Sequence, residues 1–268
     1  MHDDIPIFIP SFNNPTYVGN MINQILAKNL TNIIVVDNCS TSRKMRDFLD
    51  SLASPIKLER LSTNFGPRYI FRSKDRLASL PTIFCVTDPD LQMNPQLPVD
   101  FIDELVLCTE RFGVGKAGFS LDISNPAEFR DEAFLIGGSS YRPWEWERQF
   151  WKTRLGATTD GSPVYKASVD TTFAVYNKRF YYDRLHFRGV RVAGNYTCRH
   201  LPWYRDSIVP PDEDRHYVET SSHSFFQTDR SDGIGAIRRR HRPILDTQRA
   251  IKARIGLFCK VARARLFP

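Results

Sequence analysis

The chain has 268 residues, of which 41% are hydrophobic and 25% are charged, an ordinary composition for a globular protein with a full core. It contains no apolar run of the roughly 20 residues that a membrane-spanning helix needs. The first residues lack the basic and apolar pattern of a secretory signal, so a cytoplasmic location is predicted. Five scattered cysteines without a CxxC pair argue against a disulfide framework and against a cysteine zinc site.

The positive charge is concentrated at the C-terminus. The net charge is +7, but the segment 238–268 contains ten Lys and Arg residues and one acidic residue, whereas the rest of the chain contains 27 basic and 29 acidic residues. The body is therefore not a basic nucleic-acid-binding domain, and no nucleic-acid partner is expected.

The first ninety residues alternate between short apolar runs and helical patterns. Strands are predicted at 5–10, 32–37, 56–61 and 82–87, with a helix after each of the first three. This order predicts an α/β fold, with a mostly parallel central sheet and helices on both faces. Beyond residue 98 the pattern is looser, with a helix at 99–112, a helix after Pro143, and strands at 115–123, 169–177, 190–197 and 199–204.

Two carboxylates follow the fourth predicted strand, in the sequence VTDPDL. Asp88 and Asp90 would lie at the carboxyl end of this strand, where parallel sheets bind their ligands. One carboxylate can bind a divalent ion, and the other can accept hydrogen bonds from ribose hydroxyls. An isolated Asp-x-Asp is more often a simple turn, but polar segments also follow the other three strands, in PSFNN, DNCST and NFGPR.

These four segments together resemble the nucleotide-binding half of the GT-A glycosyltransferases, and most closely glycosyltransferase family 2. The resemblance is clear over residues 5–125 and weaker to about 205. It implies a GT-A domain over residues 1–235, with a nucleotide-sugar-binding half (about 1–97) and an acceptor half (about 98–235); the basic amphipathic tail (236–268), predicted to be a helical extension, follows outside the resemblance. It also implies an enzyme that uses a nucleoside diphosphate sugar and a divalent ion, Mn²⁺ or Mg²⁺.

The resemblance assigns roles to several residues of the four segments. The implied nucleotide-sugar ligands are Pro10, Ser11 and Asn13 around base and ribose, Asp37 at the nucleobase, Asn64 and Gly66 along the nucleoside, Arg68 at base or phosphate, and Asp88 at ribose. Asp90 is implied as a metal ligand. His200 is a second candidate, because GT-A enzymes often add a late histidine; a structural histidine is the alternative, and His223 is the fallback.

The catalytic base is not evident, because the family's usual Glu-Asp pair is missing. Asp170 is the first candidate, since it is expected to open a strand beside the donor site; the alternative is a turn cap or a pair with an arginine. Glu147 is the second, on a predicted helix with Trp144 and Trp151, whose aromatic faces suit either sugar stacking or core packing. Glu145 and Glu219 are further acids in this half.

The predicted function is transfer of a sugar to a hydroxyl of a glycan or a lipid-linked glycan, with inversion implied by the resemblance alone. The resemblance also implies bacterial cell-surface polysaccharide synthesis. Residues 238–268 form a basic amphipathic pattern that suits an anionic membrane surface on the cytoplasmic side; a helix docked on the body or in a dimer is the alternative.

Rival functions are a non-catalytic nucleotide-sugar or membrane-binding module and a nucleotidyltransferase, although PSFNNP lacks the glycine-rich basic loop of the latter.

Overall fold

A ten-stranded mixed sheet with helices on both faces forms the body of the computed structural model, which describes residues 4–71, 74–136, 139–170, 172–180 and 189–221. The predicted α/β class is confirmed. The strands are β1 Ile7–Ser11, β2 Ile33–Asp37, β3 Lys57–Arg60, β4 Ile83–Val86, β5 Leu91–Met93, β6 Lys116–Leu121, β7 Phe134–Ile136, β8 Ser139–Tyr141, β9 Arg154–Ala157, β10 Pro163–Lys166, β11 Ala174–Asn177 and β12 Gly189–His200. The helices are α1 Pro15–Leu26, α2 Arg43–Asp50, α3 Lys74–Ser79, α4 Phe101–Phe112, α5 Pro143–Glu147 and α6 Pro211–Thr220.

The sheet order is β3-β2-β1-β4-β11-β6-β12-β10-β9, and β5 pairs with β12 outside this path. The strands of the first half, β1 to β4, are parallel, as the apolar runs predict. The second half is mainly antiparallel: β11 inserts between β4 and β6, and β10 pairs antiparallel with both β9 and β12. The sheet as a whole is therefore mixed rather than mostly parallel.

Both faces of the sheet are buried, because successive side chains of a strand point to opposite faces. Ile7 and Ile9 belong to the larger core cluster, in which α1, α2 and α4 cover one face. Phe8, between them, belongs to the second cluster with Phe84 and Tyr176, whose rings stack 5.2 Å apart. The strand ends, where the predicted site residues lie, are held rigidly by this double core.

Local signals explain several element ends. Pro15 occupies the first turn of α1, as expected from its fixed φ. Ser42 caps α2, since its hydroxyl accepts a hydrogen bond from the Met45 amide at 3.4 Å. The helix predicted after the third strand is in fact a short 3₁₀ turn at Tyr69–Phe71 and then α3.

Two predicted boundaries in the second half are wrong. The strand that contains residue 174 begins at Ala174 and not at 169, so Asp170 does not open a strand but lies in the irregular segment before β11. The strands predicted at 190–197 and 199–204 are one long strand, β12, followed by a 3₁₀ turn at Leu201–Trp203.

The basic tail 236–268 lies outside the described residues, and none of the described helices is both long and apolar enough to cross a bilayer.

Candidate nucleotide and metal site

The ends of β1 and β2 form the first part of the candidate site. Ser11 and Asp37 are direct neighbours in the parallel ladder, and both are buried. One oxygen of Asp37 accepts a hydrogen bond from the Ser40 amide at 3.1 Å, and the Ser11 hydroxyl donates to the Val36 carbonyl at 3.3 Å. Pro10 is buried beside them. The register therefore brings together the residues that PSFNN and DNCST supply.

Asn13 joins these two loops. It has a φ of 52°, in the left-handed region that Asn tolerates better than most residues. Its side-chain oxygen accepts from the amides of Thr41 and Ser42, both at 2.8 Å, and its amide nitrogen donates to Thr41 and Thr220. The side chain is thus committed to protein partners, and the predicted contact of Asn13 with a nucleoside stays a prediction.

The loop after β3 brings a third group of predicted residues to the same edge. Gly66 has a φ of 80° and donates its amide to the Asn64 side chain at 2.9 Å, which fixes a tight turn that favours glycine. Arg68 extends from this loop and pairs with Asp170 at 3.0 Å. The loop after β3 and the segment before β11 therefore meet at this edge of the sheet.

Asp88, Asp90 and His200 converge beyond the end of β4. Each offers one ligand atom, and these atoms lie within 4.8 Å of one another. The pairing of β5 with the end of β12 causes this meeting: His200 lies opposite Leu91, and the Leu201 amide donates to the Asp90 carbonyl at 2.8 Å. A histidine 110 residues further along the chain is thereby placed beside the Asp-x-Asp carboxylates.

The ionisable groups of this cluster lie close together, with His200 buried and the two carboxylates partly buried. Burial and the neighbouring carboxylate of Asp90 raise the pKa of Asp88 to about 7. Burial opposes protonation of His200, but Asp90, whose carboxylate lies 3.4 Å from Nε2, outweighs it, so the pKa of His200 is raised. Two adjacent, partly buried carboxylates favour a cation between them.

The donor set fits a divalent ion. The Asp90 Oδ1 and His200 Nδ1 atoms are buried and have no hydrogen-bond partner within the described structure. Buried polar atoms normally find partners, and a bound metal ion would supply one for Asp90 Oδ1, while the His200 Nε2 atom that faces Asp90 could bind the same ion. Two carboxylates and an imidazole suit Mn²⁺, while Mg²⁺ prefers oxygen ligands.

Lys116 lies beside the candidate site and was not singled out from the sequence. Its ammonium group donates to the Val169 carbonyl at 2.6 Å and lies 4.6 Å from the centre of the Tyr176 ring. Burial lowers the pKa of Lys116 to about 8, against the opposing effect of Asp170 and Asp88. The only sequence signal was a lysine at the start of an otherwise apolar strand, GKAGFSLDI.

The structure distinguishes the two candidate bases. The carboxylate of Asp170 is 60% exposed and pairs with Arg68, the arginine alternative considered above. Glu147 is buried in an ion pair with Arg191, which is also buried. Burial raises the pKa of Glu147 and Arg191 lowers it, with burial the stronger effect. Glu147 is therefore held in a buried ion pair, whereas the ion pair of Asp170 with Arg68 is exposed.

The remaining acids and basic residues of the second half lie elsewhere. Glu145 accepts a hydrogen bond from the Arg142 amide, and Glu219 is exposed on α6. Arg199 pairs with Glu128 and Asp206 rather than with the carboxylate cluster. His223 lies outside the described residues.

Residues 7–105 match the model of the family described as glycosyl transferase family 2. The matched region contains all four strand-end segments and both aspartates of the cluster. The chain resembles glycosyltransferase family 2. The match confirms the resemblance that the sequence motifs predicted. His200 and Asp170 lie beyond the part that matches the family. A comparison with curated proteins gives no significant match.

Several solved structures align with part of the chain. S. aureus TarS 1-349 aligns at a TM-score of 0.35 and 15% identity, over 65% of this chain and 47% of its own. GalNAc-T7 with UDP, GalNAc and Mn²⁺ aligns at 0.46 and 12%, over 75% and 44%. HddC from Yersinia pseudotuberculosis aligns at 0.42 and 9%, over 79% and 97%. The chain spans less than half of the first two. All three TM-scores are below 0.5, so the resemblance to glycosyltransferase family 2 rests on the family match.

Proposed function

We propose that this protein transfers a sugar from a nucleoside diphosphate sugar to a hydroxyl of a glycan or a lipid-linked glycan, with a divalent ion at Asp88, Asp90 and His200. The observation that carries the proposal is the meeting of these three side chains at the sheet edge that the family-matched loops also form. Such a site can hold a nucleotide in the loops and its diphosphate at the ion.

The nucleotide contacts follow from the loops. Asp37 uses one oxygen for Ser40, so its second oxygen is the acceptor proposed for the imide N–H of a nucleobase. Pro10, Ser11, Asn64 and Gly66 form the walls around the nucleoside. Asp88 lies beside them and is proposed to accept hydrogen bonds from ribose.

Asp90 and His200 are proposed to hold the metal ion together with Asp88. When bound, the ion would neutralise charge on the departing nucleoside diphosphate. Arg68 is the cation nearest to Asp170, and it is available to the diphosphate once the ion pair opens. The chain's own contribution is to fix these groups before the substrate arrives.

Asp170 is proposed as the general base of an inverting transfer. Its carboxylate removes the proton of the acceptor hydroxyl while that oxygen attacks the anomeric carbon, and the bond from this carbon to the diphosphate oxygen breaks on the opposite side. Exposure of the carboxylate supports this role, and the buried pair of Glu147 with Arg191 leaves Glu147 less suited to it.

The family resemblance supports a place in bacterial cell-surface polysaccharide synthesis. A lipid-linked acceptor would explain the basic pattern of residues 238–268, which suits peripheral binding to the inner face of the plasma membrane. Sedimentation of the full chain with anionic and with neutral vesicles tests this part of the proposal; equal binding to both vesicles would contradict it.

Thermal unfolding with a panel of nucleoside diphosphates, with and without Mn²⁺, tests the site itself. A ligand that binds only the folded state raises the unfolding temperature. We expect one diphosphate to stabilise the protein only when Mn²⁺ is present, and Asp90→Ala to remove this effect. Asp75→Ala, an exposed aspartate on α3, is the matched control. Stabilisation by none of the diphosphates would contradict a nucleotide-sugar enzyme, and binding without turnover of any sugar would favour the non-catalytic module.

A further inference from the structure

Three basic side chains hold three consecutive residues next to the candidate site. Arg191 donates from Nε to the Ser168 carbonyl at 2.7 Å, and Lys116 donates to the Val169 carbonyl at 2.6 Å. Arg68 pairs with the next residue, Asp170. The three cations come from β12, from β6 and from the loop after β3. They converge on one short segment, 168–170, that has no regular secondary structure of its own.

Arg191 is itself held in place from several sides. It is 1% exposed, forms an ion pair with Glu147 and lies with its guanidinium 4.2 Å from the centre of the Phe150 ring. A buried arginine with a carboxylate, a carbonyl and an aromatic ring as partners has little freedom to move. The hydrogen bond to Ser168 therefore fixes that carbonyl against the rigid sheet.

Val169 is seated between two glycines. A Cβ at Gly118 would lie 2.5 Å from the Val169 side chain, and a Cβ at Gly189 would lie 3.0 Å from it. Only glycine allows this close approach at Gly118, because real Cβ atoms do not come so near to their neighbours. The valine is 7% exposed, so the segment is anchored by packing as well as by hydrogen bonds.

We infer that Lys116 and Arg191 are positioning residues, which hold the segment 168–170 so that the Asp170 carboxylate faces the acceptor hydroxyl. This inference rests on the proposed function, in which Asp170 is the base. A general base must lie within hydrogen-bond reach of the proton that it removes. A displacement of about 1 Å can lower a rate about 100-fold, so the anchors of a base on an irregular segment matter for turnover.

The anchors differ in what they contribute. Arg191 and Glu147 are buried together, and their loss would affect folding as well as position. Lys116 is only partly buried and contacts the segment through one hydrogen bond, so it is the better subject for an experiment. Lys166, an exposed lysine on β10 near the same segment, is a matched control.

The test compares Lys116→Met, Lys116→Arg and Lys166→Met in the full chain. Release of nucleoside diphosphate from a panel of nucleotide sugars with Mn²⁺ reports turnover, with water as the acceptor. We expect Lys116→Met to lower kcat about 10- to 100-fold, with KM for the donor changed by less than about twofold. Lys116→Arg keeps a donor to the Val169 carbonyl and should recover part of the loss, and Lys166→Met should behave as the wild type.

Hydrogen exchange of the backbone at 166–170 gives a readout that does not need turnover. We expect faster exchange there in Lys116→Met, with exchange at β1 and β2 unchanged. Gly189→Ala would push Val169 from the other side and should also raise the exchange rate of this segment. Gly156→Ala, whose new Cβ would meet Phe112 at an ordinary 3.5 Å, should leave the exchange rate unchanged.

The outcomes separate the inference from the proposed function. If no diphosphate binds to the wild type with Mn²⁺, the proposed function fails, and the exchange measurement still decides whether Lys116 anchors the segment. Unchanged exchange and unchanged kcat in Lys116→Met would overturn the inference while metal-dependent binding persisted. A rise in donor KM equal to the loss of turnover would also overturn it, because Lys116 would then be a donor-binding residue.

Discussion

The two halves of the molecule build their parts of the site in different ways. In the nucleotide half, residues 4–97, the functional side chains follow parallel strands that are neighbours in the sheet, so the register alone brings Ser11 and Asp37 together. In the second half, the groups meet through side chains that come from separate elements: Lys116 and Arg191 contact the segment 168–170, and Arg68 reaches it from the first half. The register of neighbouring strands positions the site side chains of the first half, whereas contacts between distant elements position those of the second half.

The largest expected effect is a loss of turnover on replacement of Asp170, in the half that depends on long-range contacts. Asp170→Asn should lower turnover by about 10²- to 10⁴-fold, because an amide cannot accept the acceptor's proton. The free energy of unfolding should change by less than about 1 kcal/mol, since both partners of the ion pair are mostly exposed. Release of nucleoside diphosphate and urea unfolding measure the two quantities.

Asp131→Asn is the control for this variant. Asp131 forms a similar exposed ion pair with Arg205 at 3.1 Å. Its replacement should leave turnover unchanged. Equal losses of turnover in the two variants would mean that Asp170 acts only as a surface charge.

The next effect concerns the buried pair that the acceptor half uses as a support. Glu147→Ala leaves Arg191 buried without its carboxylate, which should lower the free energy of unfolding by about 3–5 kcal/mol. Urea unfolding measures it. Glu110→Ala, which breaks an exposed pair with Arg179, should cost less than about 1 kcal/mol. A cost for Glu147→Ala no larger than that of the control would show that the pair is not a support.

A smaller effect on stability tests the hydrogen bonds between α6 of the second half and α1 of the first half. Glu213 on α6 is buried and accepts hydrogen bonds from the Thr16 amide at 3.0 Å and the Thr16 hydroxyl at 2.8 Å, in the first turn of α1. Glu213→Ala should lower the free energy of unfolding by about 1–3 kcal/mol, because the two partly buried donors of Thr16 lose their acceptor. Asp212→Ala, which removes an exposed pair with Lys44, is the control. A similar change in both variants would contradict a specific tie through Thr16.

The smallest effect is a pH dependence in the acceptor half. Burial acts to raise the pKa of Asp160, but hydrogen bonds from Thr158 and Ser162 outweigh it, so the pKa lies below that of the unfolded chain. The carboxylate therefore stabilises the fold above about pH 4, and this contribution is lost as the pH falls through the folded pKa. Because Asp160 is exposed, the contribution should stay below about 1 kcal/mol.

Thermal unfolding of the wild type and Asp160→Asn measures this contribution. The stability difference between them should shrink between about pH 5 and about pH 2.5. A difference that grows on acidification would contradict the assigned direction.

The contrast between the halves explains what the sequence could predict. Apolar runs and strand-end motifs predicted β1 to β4, the family resemblance and the position of Asp88 and Asp90, because each depends on a few adjacent residues. The proximity of His200 to Asp90 followed only from the resemblance, since its physical cause is the pairing of β5 with β12. Lys116 and the buried partner of Glu147 could not be predicted, because no local pattern records which side chains meet across a sheet.

The central claim is that Asp90 binds a divalent ion next to a nucleotide. Electron paramagnetic resonance of Mn²⁺, titrated into the protein with the nucleoside diphosphate that stabilises it, tests this directly, because free and bound Mn²⁺ give different signals. We predict one bound Mn²⁺ per chain in the wild type and in Asp75→Asn, and loss of this binding in Asp90→Asn. Unchanged Mn²⁺ binding in Asp90→Asn would contradict the claim.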